Sequence, residues 1–234
     1  MSIHAINNAT SADFLDSIET ALLAAGRLET IHYRGTSSMV FKVTGINVDM
    51  QIFTSGSFYI GVFDGVNNLS TNKLTIQTIY SDITDGSWIL ISTPKIFAMN
   101  QYVSSSYHYT RIVGQTAETV PRVIALAYSN SSNNYYNNSW CFNVESGEKL
   151  TSLVRYNGPA LDLNGYTLAS DMHFIGPANM VDLNLQMDGI KLLYQEAPSV
   201  THTVYGDDVG LLAEYTDDGN SYTGGQILII GGNL

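Results

Sequence analysis

The stretch TSADFLDSIETALLAAGRLETIHYR, residues 10–34, contains the change of periodicity that decides the fold. In its first part, apolar residues recur at helical spacing and predict one amphipathic α-helix of about four turns. These residues are Phe14, Ile18, Ala21, Leu22 and Ala25. Thr10 is suited to cap the start of this helix together with Asp13, and Gly26 is suited to end it, since glycine adopts the left-handed conformation at little cost.

After Gly26 the apolar residues alternate with a period of two, which is typical of β-strands. Short segments rich in β-branched and aromatic residues follow one another, separated by Gly, Asn, Asp or Ser. They are 30–34, 38–45, 48–56, 57–65, 74–80, 87–93, 107–114, 122–129, 140–145, 150–158, 171–176, 180–189, 190–196, 201–206, 210–219 and 225–232. The sequence therefore predicts a mainly β fold, an antiparallel β-sandwich or barrel-like body with one N-terminal amphipathic helix. The segment SFYIGVFDG, 57–65, is apolar on both faces and is expected between two layers.

Polar residues and Pro121 interrupt the pattern between residues 100 and 121. This interruption predicts a helix plus β-rich region at 1–115 and a second β-rich region at 116–234, with a single continuous domain as the alternative. Within the second region, TLASDM at 167–172 is predicted to contain a turn of helix.

The composition excludes several classes of function. Charged residues make up 13% of the 234 residues, and ten Lys plus Arg stand against 21 Asp plus Glu, for a formal charge of -11. Nucleic-acid affinity depends on basic groups that displace counterions, so we expect no nucleic-acid partner. Cys141 has no second cysteine to pair with and is expected to be a small buried apolar group. No signal-peptide pattern and no run of about 18 apolar residues occur, so we expect neither secretion by a signal peptide nor a membrane-spanning segment.

Catalytic motifs are not recognisable in the sequence. The five His residues are scattered singly, and no nucleophile-elbow, P-loop or dinucleotide-binding pattern occurs. The acidic pairs Asp207–Asp208 and Asp217–Asp218 lie beside Gly, where Asp favours turns and bonds nearby amides. We therefore predict no catalytic residue, no cofactor and no metal ligand. A polysaccharide-cleaving carboxylate pair or a calcium site at these Asp residues remains as an alternative.

A candidate contact loop lies at residues 129–140, SNSSNNYYNNSW. Tyr, Ser and Asn are common in binding loops, because Tyr offers a large area with two side-chain torsions and Ser and Asn adapt their hydrogen bonds. The loop is expected at the tip of a hairpin, and three interpretations stay open: a solvent-exposed turn, a protein contact, or a sugar-binding loop with aromatic stacking. The predicted contact residues are Asn134, Tyr135, Tyr136, Asn137 and Trp140.

The segment FLDSIETALLAAGRLETIHYRG at 14–35, together with DGIKLLYQE at 188–196 and DDGNSYTGGQILIIGGNL at 217–234, resembles virion structural proteins of tailed bacteriophages. The resemblance implies a non-enzymatic subunit of a tail, baseplate or neck, or a capsid decoration. Such a protein would be a homo-oligomer that packs against other virion proteins, in a virion assembled in the bacterial host cytoplasm. The alternative is a carbohydrate-binding or receptor-binding β module of a phage fibre, with a host glycan as its partner.

Overall fold

The computed structural model describes residues 1–54, 57–61, 74–77, 82–104, 107–116, 123–131, 140–143, 149–154, 161–163, 166–175, 181–194, 202–217 and 220–231. These residues form one helix and antiparallel strands, which confirms the predicted mainly β fold with a single N-terminal helix. The helix is α1 (Ser11–Ala24). The strands of the first half are β1 (Ser2–Ile6), β2 (Leu28–Arg34), β3 (Ser38–Val43), β4 (Asp49–Phe53), β5 (Ser57–Gly61), β6 (Leu74–Gln77), β7 (Ser87–Ser92), β8 (Ile96–Ser104) and β9 (Tyr107–Gln115). Those of the second half are β10 (Val123–Ser131), β11 (Trp140–Asn143), β12 (Lys149–Val154), β13 (Leu161–Leu163), β14 (Tyr166–Ile175), β15 (Val181–Tyr194), β16 (His202–Tyr205), β17 (Asp208–Asp217) and β18 (Asn220–Ile229).

Local signals at both ends of α1 explain its bounds. The Thr10 hydroxyl oxygen accepts a hydrogen bond from the backbone N–H of Asp13 at 3.1 Å and so caps the first turn. At the other end Gly26 adopts a φ of 63°, while its N–H and that of Arg27 donate to the carbonyls of Leu23 and Leu22. This pair of bonds is the Schellman arrangement that closes a helix. The prediction is confirmed, except that Ala25 lies just after the helix as its C-cap.

The strands form two sheets. The smaller sheet is a meander in the order β2-β3-β4-β5-β6, and it lies between β1 and β7 along the chain. The larger has 13 strands in the order β1-β7-β8-β9-β10-β11-β12-β14-β15-β18-β17-β16, with β13 paired to β14. β9 precedes the predicted boundary between residues 115 and 116, and β10 follows it. The two strands pair along their whole length. The division of the chain at that point stays a prediction.

One apolar core joins α1 to both sheets. The buried face of the helix consists of Phe14, Leu15, Ile18, Ala21 and Leu22. Phe14 meets the ring of Trp88 on β7 edge to face, with centroids 4.9 Å apart. The two sheets touch directly through Phe41 of β3 and Phe97 of β8, whose centroids are 5.7 Å apart. Full burial of each large apolar side chain contributes about 1.5–3 kcal/mol, so this core holds the helix and the sheets together.

The opposite face of the large sheet is also buried. Along β9, Val113 belongs to the core described above, while Ile112 points to the other side and is equally inaccessible. β15 and β17 lie against β9, and β17 also lies against β10, so the large sheet turns back on itself. Buried apolar residues outside the core around α1 also include Ile96, Ile190, Val209, Leu211 and Ile229. The apolar character of both faces of segment 57–65 stays a prediction, because its side chains lie outside the described ones.

Three local predictions are wrong. TLASDM contains no helical turn, because residues 166–175 are strand β14, with Leu168 opposite Leu193 of β15. The expected break from residue 100 is in part strand β8, whose polar Asn100 is buried because its amide donates to the Thr110 hydroxyl at 2.7 Å. The segments 180–189 and 190–196 were predicted as separate strands, but their described residues, 181–194, form one strand, β15, which continues through Gly189 at a φ of 81°.

Candidate interaction surface

The predicted contact loop is only partly within the described structure. Asn134, Tyr135, Tyr136 and Asn137 lie outside the described residues, so their role stays a prediction. Trp140 is the first residue of β11 and lies opposite Ala127 of β10. β10 and β11 are antiparallel neighbours, which confirms that the stretch joins the two strands of a hairpin.

Exposed apolar side chains concentrate at the edges of the sheets. Among the described residues, the exposed large apolar side chains are Met1, Ile3, Leu23, Tyr33 and Val204. All but Leu23 lie on an edge strand or directly before one, because β1 and β16 end the large sheet and β2 ends the small sheet. An edge strand presents backbone N–H and C=O groups that no neighbouring strand uses. Apolar side chains beside such groups make a strand edge suited to contact another chain.

β1 is an edge without the usual protection against pairing. Its five residues, SIHAI, include no Lys, Asp, Glu or Pro, and its register against β7 is regular from Ser2–Ser92 to Ile6–Trp88. Ile3 is 36% exposed and Ala5 is also exposed. Natural proteins protect free edges with charges, prolines or bulges, none of which β1 has. Among the described strands none pairs with the outer edge of β1, and the regular register of β1 suits it to accept a further strand.

β2, the edge of the small sheet, is protected in two ways. Its register against β3 shifts between Leu28 and Thr30 and again between Ile31 and Tyr33, so Glu29 and His32 are the extra residues of two bulges. Both side chains form ion pairs or hydrogen bonds within the sheet. The carboxylate of Glu29 lies 3.1 Å from Lys42 Nζ, and His32 Nε2 lies 3.0 Å from Asp49 Oδ1. Bulges and charges together make β2 a poor template for another strand.

The second edge of the large sheet, β16, is short and partly apolar. Val204 is 54% exposed, whereas Val209, its partner on β17, is fully buried. The ring atom Nδ1 of His202 is buried and has no hydrogen-bond partner among the described residues. Burial lowers the pKa of His202 below its ordinary value, because the protonated ring would lose hydration.

The acidic pairs considered for a catalytic or calcium site lie at the ends of β17 or in the turn before it, where the structure describes them. Asp207 lies in the turn between β16 and β17, after Gly206 at a φ of 64°. The Asp208 carboxylate accepts a hydrogen bond from the N–H of Gly231 at 2.9 Å. The predicted turn position is confirmed for Asp207, whereas Asp208 is the first residue of β17. Asp217 ends β17 opposite Asn220, and Asp218 lies outside the described residues.

A second turn with acidic residues, 82–85, was not singled out from the sequence. It packs against the apolar core around α1. Asp82 Oδ1 accepts hydrogen bonds from the N–H and hydroxyl of Thr84, both at 3.0 Å, and these bonds lower the pKa of Asp82. The Ile83 carbonyl accepts from Trp88 Nε1 at 2.9 Å and from Asn8 Nδ2 at 2.7 Å. The turn thus fixes the Trp88 ring against α1, and its chemistry is structural.

No protein-family model matches the chain, and no curated protein matches its sequence significantly. In the part of the chain that the structure describes, no three His, Cys, Asp or Glu side chains are grouped so that they could hold a metal ion. Nor does the described part contain a helix long and apolar enough to cross a membrane.

Proposed function

We propose that the protein is a non-enzymatic structural subunit that acts by protein–protein packing between copies of itself and with neighbouring proteins. The observation that carries this proposal is β1, a regular, uncharged and apolar strand at the free edge of a 13-stranded sheet. Such an edge can pair with a strand of another subunit through backbone hydrogen bonds, while side chains such as Ile3 supply apolar contact.

The composition supports the same function. With charged residues at 13%, about half of the usual share of roughly 25%, the surface relies on neutral polar groups and tyrosine. Such groups are less costly to remove from water than charges, which suits a subunit whose surface is buried in a large assembly. The resemblance of both ends of the chain to phage virion proteins favours a tail, baseplate or neck as that assembly, in a virion built in a bacterial cytoplasm.

Light scattering coupled to size exclusion, over a wide concentration range, tests the proposal. We expect the wild type to associate, and Ile3→Lys to raise the concentration needed for association by about tenfold or more, because a buried charge at an edge opposes pairing. Thr30→Lys is the matched control, since it adds the same charge at an exposed position of the protected edge β2. A wild type that stays monomeric at every concentration, with no partner protein present, would contradict self-association.

A further inference from the structure

The directions of the backbone groups in β1 follow from those of its neighbours. Along a strand of an antiparallel pair, successive residues direct their N–H and C=O groups alternately to one side and to the other. The N–H of Thr93, which follows β7, donates to the Ile96 carbonyl at 2.9 Å and so points towards β8. Ser92, one residue earlier, therefore directs its groups the other way, towards its register partner Ser2 on β1. Ser2 and every second residue after it are thus bonded to β7.

The free side of β1 offers the backbone groups of two residues. By the alternation that starts at Ser2, Ile3 and Ala5 direct their N–H and C=O groups away from β7. Both residues are exposed, and among the described residues no strand pairs with this side of β1. The next N–H on this side belongs to Asn7 and donates to the Ser17 hydroxyl of α1 at 3.0 Å. This bond agrees with the alternation, and it marks the end of the free edge.

β1 is complementary to a second copy of itself. His4 is the central residue of the strand, so a two-fold axis at His4 pairs Ser2–Ile6 antiparallel with the same residues of the second copy. Ile3 then lies opposite Ala5 of the second copy, and the two residues direct their backbone groups at each other. This register uses every outward N–H and C=O of β1, and it sets a large side chain opposite a small one. An axis at Ile3 or at Ala5 would leave part of β1 unpaired.

The charge distribution also permits this contact between identical strands. A two-fold axis places the groups of a contact opposite their own copies, so a charge near the axis would face a like charge. The protein carries a formal charge of -11, but residues 1–12 contain no Asp, Glu, Lys or Arg. At the other edge of the large sheet, by contrast, Asp207 and Asp208 come directly after the Gly206 turn that follows β16. Of these two edges, β1 is the one that meets its own copy without this repulsion.

We propose that β1 pairs antiparallel with β1 of a second copy across a two-fold axis at His4, so that two 13-stranded sheets join into one continuous sheet. The inference rests on the proposed self-association and adds the partner strand, its orientation and its register. Ile3 of each copy exchanges two backbone hydrogen bonds with Ala5 of the other, and the two His4 residues face each other. Because a contact of this symmetry closes with two copies, the unit of any larger assembly is a dimer.

Disulfide cross-linking between copies tests the register. The two His4 residues form a non-hydrogen-bonded pair with Cα atoms about 4.5 Å apart, within the range that a disulfide spans. The two Ile3 residues are diagonal neighbours about 7–8 Å apart, which is too far. With Cys141→Ala, which removes the one native cysteine, and oxidised glutathione as the oxidant, we expect His4→Cys to give a covalent dimer. Ile3→Cys is the matched control on the same strand and should cross-link about tenfold less or weaker still. Equal cross-linking, or more in Ile3→Cys, would overturn the axis at His4.

Proline substitution tests the backbone hydrogen bonds. Ala5→Pro removes an N–H that points outward, so the subunit itself loses no bond to β7, and an edge strand tolerates such a proline. We expect light scattering to show that association of Ala5→Pro requires a concentration about tenfold higher or more, while its Tm as a monomer stays close to that of the wild type. His4→Pro is the control for the alternation and should lower the Tm of the monomer, because it removes a bond to β7.

The outcomes separate this inference from the proposed function. Association that is unchanged in Ala5→Pro, without cross-linking of His4→Cys, would overturn the β1–β1 pair and leave self-association through another surface. A wild type that stays monomeric at every concentration would overturn both. Circular dichroism checks that each variant is folded; should Ala5→Pro not fold, the comparison of His4→Cys with Ile3→Cys decides.

Discussion

Gln51 and Gln101 are both fully buried, but their hydrogen bonding differs. Gln101 Nε2 donates to the carbonyl oxygens of Asp82 and Asp85, both at 3.0 Å, and so holds the turn before β7. Neither the amide nitrogen nor the amide oxygen of Gln51, on β4, has a partner among the described residues. A buried amide without partners is destabilising, whereas a bonded one contributes to stability.

We therefore predict opposite effects for the same substitution at the two positions. Gln51→Leu should raise the free energy of unfolding by about 1–3 kcal/mol, because the unpaired amide is replaced by an apolar group of similar size. Gln101→Leu, the matched control, should lower it, since the turn at residues 82–85 loses the two hydrogen bonds that the Gln101 amide donates. Urea unfolding followed by circular dichroism measures both. A loss of stability in Gln51→Leu as large as that in Gln101→Leu would show that the Gln51 amide is bonded in solution.

His202 gives a prediction on pH. Its pKa in the folded protein lies below the ordinary value of about 6.5, so protons bind more readily to the unfolded chain. Its stabilising contribution is therefore present above about pH 6.5 and is lost as the pH falls from there towards the lowered pKa. On lowering the pH from about 7.5 to about 5.5, the Tm of the wild type should fall more than that of His202→Gln, whose amide does not titrate. Parallel curves for the two proteins would contradict the burial of this ring.

At the scale of elements, local signals explain why α1 was predictable. Thr10, Asp13 and Gly26 mark its ends in the sequence, and the same residues make the capping bonds in the structure. Strand β8 was missed because Asn100 and Gln101 resemble loop residues. Their partners, Thr110 and the turn at residues 82–85, are distant in sequence, so only the folded structure shows how these polar groups are satisfied.

The position of β1 at an edge of the sheet was not predictable for a similar reason. The five residues of β1 contain no turn signal or strong alternation. They pair with β7, although about 80 residues, including α1 and the small sheet, separate the two strands along the chain. Whether a strand is an edge depends on the order of strands in the sheet, which is a property of the whole topology. The composition of loop 129–140 could be interpreted directly, but the exposed apolar edge could not.

At the scale of the whole molecule, two features act on association in opposite directions. The formal charge of -11 makes copies repel each other, and salt screens this repulsion. The free edge of the 13-stranded sheet, with exposed Ile3, favours contact. Since few charges lie near β1 in the sequence, pairing at this edge requires little removal of ionic groups from water. We therefore propose that association through β1 takes place at physiological ionic strength.

Hydrogen exchange of the backbone amides, measured at a low and a high protein concentration, tests association through β1 most directly. We predict that exchange in Ser2–Ile6 slows at high concentration, because a strand of another copy occupies the free edge, while exchange in the protected edge β2 stays the same. Association that slows exchange elsewhere and leaves β1 unchanged would show that copies of the protein meet through a different surface. That result would contradict the proposed role of β1 as the pairing edge.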